Sequence, residues 1–257
     1  MTDLRIAFAG DRDISVLVLG FLHNQGIRPA ALLVSQETRA THADELIAAC
    51  PYLAMDFIFR GTGFRESNSI EKLRGLDLDY LIGVHFPYII PEDILTIPRV
   101  GVLNLHPAFL PFNRGWHTPS LAILEDTPIG ATLHFMDAGI DTGDIVHQKH
   151  LQVTPADTAH TLYQRLKQLE LETFQEAWPS LVERSFHRLK QDPEAGSVHR
   201  RSDLFCESLQ RIDLNQVEKV ADLLRRLRAL TTNRIDEAAY FQMDGKRYRI
   251  QVIIQEE

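Results

Sequence analysis

The strongest constraint on the fold lies in how apolar runs alternate along the first third of the chain. Leu4 to Gly10 (LRIAFAG) is short and continuously apolar, as a strand buried on both faces must be. The apolar residues of Ile14 to Leu22 then recur at helical spacing until Asn24-Gln25-Gly26, and Pro29 to Ser35 (PAALLVS) reads as a second strand. Two strands separated by a helix begin a parallel, doubly wound sheet. Asp79 to Val84 and Gly101 to His106 add further buried strands, with Glu92 to Leu95 as one helical turn between them. Gly130 to Met136 and Asp144 to Lys149 form the arms of a later pair whose connecting loop carries Asp141. The expected class is α/β: a Rossmann-like, mostly parallel sheet with helices on both faces, followed by a small C-terminal helix and β-hairpin unit.

Asp157 is the expected N-cap of a long helix whose apolar stripe is Leu162, Leu166, Leu169 and Trp178. Lys190 to Arg201 (KQDPEAGSVHRR) is polar, carries Pro193 and Gly196, and lacks an apolar period. The expected organisation is therefore a domain over 1–189, a linker over 190–201 and a small domain over 202–257. Val217, Val220, Leu223, Leu224, Leu227 and Leu230 fit an amphipathic helix. Tyr240 to Met243 and Lys246 to Ile254, joined at Asp244-Gly245, read as a hairpin. Tyr240, Phe241 and Tyr248 are assigned first to packing and second to subunit contact. Arg225, Arg226 and Arg228 are assigned to a solvated face.

With 257 residues there is material for one sizeable core plus a small annex. A net charge of -8 argues against a protein that clamps a nucleic-acid backbone. Cys50 and Cys206, the two cysteines, lie far apart without metal-type spacing, so neither a disulfide framework nor a structural zinc is expected. Met1-Thr2-Asp3-Leu4-Arg5 enters an apolar strand too short for a signal sequence, and no apolar run reaches membrane-spanning length. Cytoplasmic residence without membrane attachment is the expectation.

The chemistry concentrates at Asn104-Leu105-His106-Pro107. Side chains two apart leave a strand on the same face, so Asn104 and His106 point into one pocket. Pro107 cannot donate to a ladder and ends the strand there, at the carboxyl edge where open α/β sheets place ligands. Acyl transfer to an amine passes through a tetrahedral oxyanion and needs hydrogen-bond donors plus a proton acceptor. An amide, an imidazole and a carboxylate are that equipment. Spacing alone leaves Asp137, Asp141 and Asp144 as competing carboxylates, because turns collect aspartate. It also leaves His85, His117 and His134 undecided.

The run GVLNLHPAFLPFNRGWHTPSLAIL, then GATLHFMDAGIDTGDIV, resembles the N10-formyltetrahydrofolate-dependent formyltransferase family, with its Asn-x-His motif, Leu-Pro loop and Asp-x-Gly loop. The resemblance covers about the first 185 residues. It implies that the catalytic residues are Asn104, His106 and Asp141; only the family motif selects Asp141. It also implies N10-formyltetrahydrofolate as co-substrate and no metal. Phe86, Tyr88, Ile89, Ile90, Leu110, Asp137 and Asp141 are the implied folate-side residues. Asn113-Arg114-Gly115-Trp116-His117-Thr118-Pro119, the opening Ala9-Gly10-Asp11-Arg12-Asp13 and the C-terminal wording resemble the branch acting on dTDP-linked amino-dideoxyhexoses. Arg12, Asn113, Arg114, Trp116 and His117 are the candidates on that side, since guanidinium groups suit diphosphate and an indole offers an apolar face. The resemblance also implies a homodimer.

The expected reaction is formyl transfer to the amine of a dTDP-4-amino-4,6-dideoxyglucose-type sugar, with a 3-amino-3,6-dideoxyhexose as the alternative acceptor. Methionyl-tRNA and glycinamide ribonucleotide are disfavoured: the tail ends Gln255-Glu256-Glu257 and is short and not basic, whereas a glycinamide ribonucleotide enzyme lacks such an extra C-terminal unit. An inactive folate and nucleotide-sugar binding module is the reading outside enzymes, and the intact Asn104, His106 and Asp141 argue against it.

Overall fold

The structure is a computed structural model that describes residues 4–36, 40–192 and 194–257. Met1-Thr2-Asp3 before the first strand and Pro193 in the polar segment lie outside the described residues. The strands are β1 (Ile6–Gly10), β2 (Ala31–Val34), β3 (Ile58–Arg60), β4 (Tyr80–Val84), β5 (Gly101–His106), β6 (Arg114–Gly115), β7 (Ile129–Phe135), β8 (Ile145–Leu151), β9 (Val198–His199), β10 (Ala239–Met243) and β11 (Lys246–Ile250). The helices are α1 (Asp13–Asn24), α2 (Ala43–Ala48), α3 (Ser67–Arg74), α4 (Glu92–Leu95), α5 (Thr118–Glu125), α6 (Ala159–Glu183), α7 (Arg201–Leu204), α8 (Glu207–Gln210) and α9 (Val220–Leu230).

Seven strands form one sheet in the order β3-β2-β1-β4-β5-β7-β8, with β1 to β5 parallel and β7 antiparallel to β5. The order runs outward in both directions from β1 and β4, so the carboxyl ends of these two strands mark the switch point where such sheets bind ligands. Both faces of the sheet are covered, and the strand residues alternate between two cores. Ile6, Phe8, Ile82, Leu103 and Leu105 enter one together with Phe174 and Trp178 of α6, while Ala7, Ala9, Leu81 and Val102 enter the other. Phe174 stacks on Trp178 at 5.8 Å and 28°, and each fully buried side chain of this size contributes about 1.5 to 3 kcal/mol.

Two compact units emerge, each discontinuous in sequence. One comprises Met1–His106, Thr132–Gln148 and Glu170–Gln191; the other comprises Pro107–Ala131, Lys149–Leu169 and Asp192–Glu257. In the second unit residues 197–199 of the polar segment are tied down: Val198-His199 pairs in parallel with Arg114-Gly115, and Asn113 N–H donates to Ser197 Oγ at 3.0 Å.

Three local expectations are corrected. The first turn of α6 is capped by Thr158, whose Oγ accepts from Thr161 N–H at 3.3 Å, and not by Asp157. Asp157 is taken by Thr154 N–H at 2.7 Å and by the Arg165 guanidinium. Burial pushes its carboxyl up, but those hydrogen bonds outweigh burial and hold it below the usual carboxylate range. The apolar face of α9 packs only in part: Leu227, Ala229 and Leu230 are buried, Val220 and Leu224 are exposed, and Val217 precedes the helix. Of the three arginines there, Arg226 pairs with Glu218 at 2.7 Å and Arg228 donates to the Asp157 and Thr154 carbonyls. The hairpin turns at Asp244 and Gly245, both at positive φ, a requirement that Asp-Gly meets in a tight two-residue turn.

Candidate active site

Leu103 and Leu105 of β5 enter one core, so Asn104 and His106 leave the opposite face, the one shared with Val102. On the antiparallel neighbour β7, His134 stands opposite Asn104 and Thr132 opposite His106. Facing pairs in such a ladder have their side chains in reach of one another. Asp141 reaches the same point from the loop between β7 and β8. Asn104 Nδ2 donates to Asp141 Oδ1 at 3.2 Å, and His106 Nε2 lies 3.5 Å from Asp141 Oδ2. Asn104, His106, Thr132, His134 and Asp141 all belong to the first compact unit.

His134, undecided from sequence, is the fourth member of this cluster. Its Nδ1 sits 2.8 Å from the Phe135 carbonyl oxygen, so the proton of the neutral ring belongs on Nδ1 and Nε2 is left as an acceptor. That acceptor lies 3.2 Å from Asn104 Nδ2 and 3.5 Å from Asp141 Oδ1. The amide of Asn104 thus meets acceptors with both N–H groups, which fixes which end of the carboxamide faces the carboxylate. The rings of His106 and His134 meet edge to face at 6.2 Å.

The loop that carries Asp141 is built to hold it. Asp141 has φ +52°, a left-handed backbone that aspartate tolerates better than most residues. Gln191 Nε2 donates to the carbonyls of Asp141 at 2.9 Å and Gly143 at 2.7 Å, clamping the loop from outside its own sequence. Asp137 Oδ1 accepts from Gly139 N–H at 2.9 Å and Thr142 Oγ at 2.6 Å, an Asx turn at the loop's start. A side chain at Gly143 would place its Cβ 1.9 Å from the Phe135 carbonyl oxygen, so only glycine permits this close return to β7. Asp137 and Asp141 therefore divide the work of the loop, one shaping it and one projecting from it.

Among the other candidates in this unit, Phe86 and Tyr88 lie just beyond β4. Phe86 meets Tyr88 at 5.2 Å and Phe64 at 5.5 Å. Ile90 is buried in the second core, whereas the Ile89 side chain is 80% exposed. Arg12 is exposed at the carboxyl end of β1. In the second unit, Leu110 is buried and precedes a cis Leu110–Pro111 bond. Asn113 and Arg114 are also buried, with inward partners: Asn113 Nδ2 donates to Thr127 Oγ at 2.9 Å and the Pro128 carbonyl at 3.2 Å, and Arg114 donates to the Asp192 carbonyl at 3.4 Å. Trp116 is exposed, with the Arg201 guanidinium 5.7 Å from its ring. His117 packs edge-on to Phe205 at 4.6 Å, and burial lowers its pKa below the ordinary histidine value.

Of the two further side chains at this site, His134 was left undecided by the sequence yet was findable: it shares the alternation of Thr132 and faces Asn104 once β7 is paired with β5. Gln191 carried no such signal, because its partners are backbone carbonyls about fifty positions away.

The family model for formyl transferase matches residues 17–178, more than half the chain. The chain belongs to the formyl transferase family. It is an N-formyltransferase, and a second model, the N-formyltransferase dimerization C-terminal domain, matches residues 206–256. A dTDP-4-amino-4,6-dideoxyglucose formyltransferase of Mycobacterium bovis is 28% identical over 70% of this chain and 74% of its own length. A methionyl-tRNA formyltransferase of Geobacter sulfurreducens is 31% identical over 75% of this chain but 62% of its own length. The crystal structure of a 4-N formyltransferase from Francisella tularensis superposes with a TM-score of 0.82 over 100% of both chains at 22% identity, a likeness of fold. Among the described residues no cluster of metal ligands occurs, and no helix is long and apolar enough to cross a membrane.

Proposed function

We propose that this N-formyltransferase moves the formyl group of N10-formyltetrahydrofolate to the 4-amino group of a dTDP-linked 4-amino-4,6-dideoxyglucose. The observation that carries the chemistry is the meeting of Asn104, His106 and Asp141 beside one another in a single unit. The sugar amine attacks the formyl carbon, its new C–N bond forms, and the C–N10 bond breaks as N10 takes up the proton that the amine gives up, releasing tetrahydrofolate. Asn104 and His106 donate to the oxyanion, while Asp141 assists removal of the amine's proton. Both hydrogen bonds of the Asn104 amide are 3.2 Å long, so one N–H can turn to the oxyanion as charge develops there.

On the folate side we place Phe86, Tyr88, Ile89, Ile90 and Leu110, with Asp137 and Asp141 from the loop. On the nucleotide-sugar side we place Arg12, Trp116 and His117, with Asn113 and Arg114 acting through the loop they hold. Support for the sugar acceptor comes from the M. bovis relative. The segments matched by the two models, 17–178 and 206–256, support a catalytic domain over 1–189, a linker over 190–201 and a small domain over 202–257. The C-terminal match likewise supports a homodimer as the working form, which we place in the cytoplasm.

Purified protein incubated with N10-formyltetrahydrofolate and a panel of dTDP-amino sugars should give a product one formyl group heavier, fastest with the 4-amino-4,6-dideoxyglucose. A faster reaction with a 3-amino-3,6-dideoxyhexose would move the acceptor assignment to carbon 3. Absence of product with every amino sugar would end it.

A further inference from the structure

His85 and Glu170 form a buried polar pair for which the reaction above has no use. Glu170 has no exposed side-chain surface and His85 has 10%, and His85 Nε2 lies 2.7 Å from Glu170 Oε1. The other carboxylate oxygen of Glu170 is buried with no hydrogen-bond partner among the described residues. Glu170 sits one turn before Phe174 and two before Trp178, on the stripe of α6 that otherwise fills the core. An acid there is costly: breaking a buried pair is strongly destabilising, yet well-packed apolar residues in place of the whole pair are often as stable or more so. Packing alone does not account for it.

The position of His85 supplies an account. It directly follows β4 at the switch point of the sheet and has φ +50°, a left-handed backbone in a residue that is neither glycine nor asparagine. Such a conformation persists where surroundings hold it, and it is concentrated at ligand sites. The residue before it, Val84, is fixed by Ser15 Oγ donating to its carbonyl at 2.7 Å, and Arg65 donates to the Ile89 carbonyl at 2.7 Å. The segment 85–90 is thus held at both ends, and its direction out of the sheet is set at His85.

We propose that His85, clamped by Glu170, is a positioning residue for the donor: it aims the 86–90 segment so that Phe86, Tyr88 and the Ile89 backbone receive the flat ring system of the folate. This rests on the folate-side assignment above. It predicts a defect confined to the donor, since the acceptor is recognised elsewhere.

The test uses the full chain and two variants. His85→Asn keeps a residue that tolerates positive φ but removes the imidazole, and Glu170→Gln keeps the shape but removes the charge. Loss of a charge-assisted hydrogen bond should raise KM for N10-formyltetrahydrofolate and Kd for 5-formyltetrahydrofolate, measured by calorimetry, by about tenfold. The kcat and the KM for the amino sugar should stay within about twofold of wild type, and the two substitutions together should cost no more than either alone. Unchanged donor affinity in both variants overturns the proposal, as does an equal rise in both KM values in step with a fall in Tm. Wild-type protein that binds no 5-formyltetrahydrofolate overturns the folate assignment itself, which is a separate result from intact wild-type binding with no effect of either variant.

Discussion

Asn104 and Asn113 stand nine positions apart in the same motif-rich stretch, and each donates two amide N–H bonds to protein partners. Their acceptors differ in kind. Those of Asn104 are a histidine nitrogen and a carboxylate, groups that change charge or hydrogen-bonding role during proton transfer, and its side chain keeps some exposure. The acceptors of Asn113 are a threonine hydroxyl and a backbone carbonyl, which change neither, and the residue is fully buried. A motif presents both as site residues, and the identity of the acceptor separates an amide able to respond to a reaction from one that holds a loop.

That contrast is broken most readily at the carboxylate. Asp141→Asn is nearly isosteric and tolerates the same positive φ, so the loop should persist while the proton acceptor is lost. We expect kcat to fall by about 10²- to 10⁴-fold with little change in Tm, read from steady-state formyl transfer and thermal unfolding. A kcat near wild type would remove Asp141 from the reaction.

At Asn113 the opposite pattern is expected. Asn113→Ala strands the half-buried acceptors at Thr127 and Pro128 and puts alanine at φ +58°. Denaturant unfolding should show a loss of about 2 to 3 kcal/mol, with kcat of the folded fraction retained. A hundredfold loss of kcat at full stability would make Asn113 a reacting group like Asn104.

A smaller effect is expected at Gln191, which holds the backbone under Asp141. Gln191→Ala should reduce kcat about tenfold by loosening the carboxylate, and Gln191→Glu should do the same because it replaces the donor by an acceptor. The smallest effect is a pH dependence at His117. Burial lowers its folded pKa below the unfolded value near 6.5, so above that pH it adds nothing. As pH falls through the unfolded pKa, the unfolded chain takes up a proton that the folded ring resists, and stability declines until the folded pKa is passed. The difference between wild type and His117→Gln in chemical denaturation should grow from neutral pH downward and then level off; a difference independent of pH would contradict this.

Much of the scaffold was legible in sequence because punctuation and periodicity coincide there. The strand from Gly101 to His106 and the turn from Glu92 to Leu95 have the bounds read from sequence, set by glycine and proline at their edges. The cap of α6 was misplaced because Asp157 and Thr158 are both good capping residues, and Arg165, two helical turns on, claims the aspartate. The apolar face of α9 was readable as a pattern, but a pattern does not show that Val220 and Leu224 remain exposed within one chain. In the site, strand alternation placed Asn104 with His106. The share of His134 depends on the register of β7, and that of Gln191 on tertiary folding alone.

The most direct test of the central claim is the rate of formyl transfer at saturating donor and amino sugar for Asn104→Ala against wild type, with Tm measured on the same samples. The structure predicts a fall in kcat of about 10²- to 10³-fold, the cost of one oxyanion donor, at nearly unchanged Tm. A kcat within threefold of wild type would contradict it.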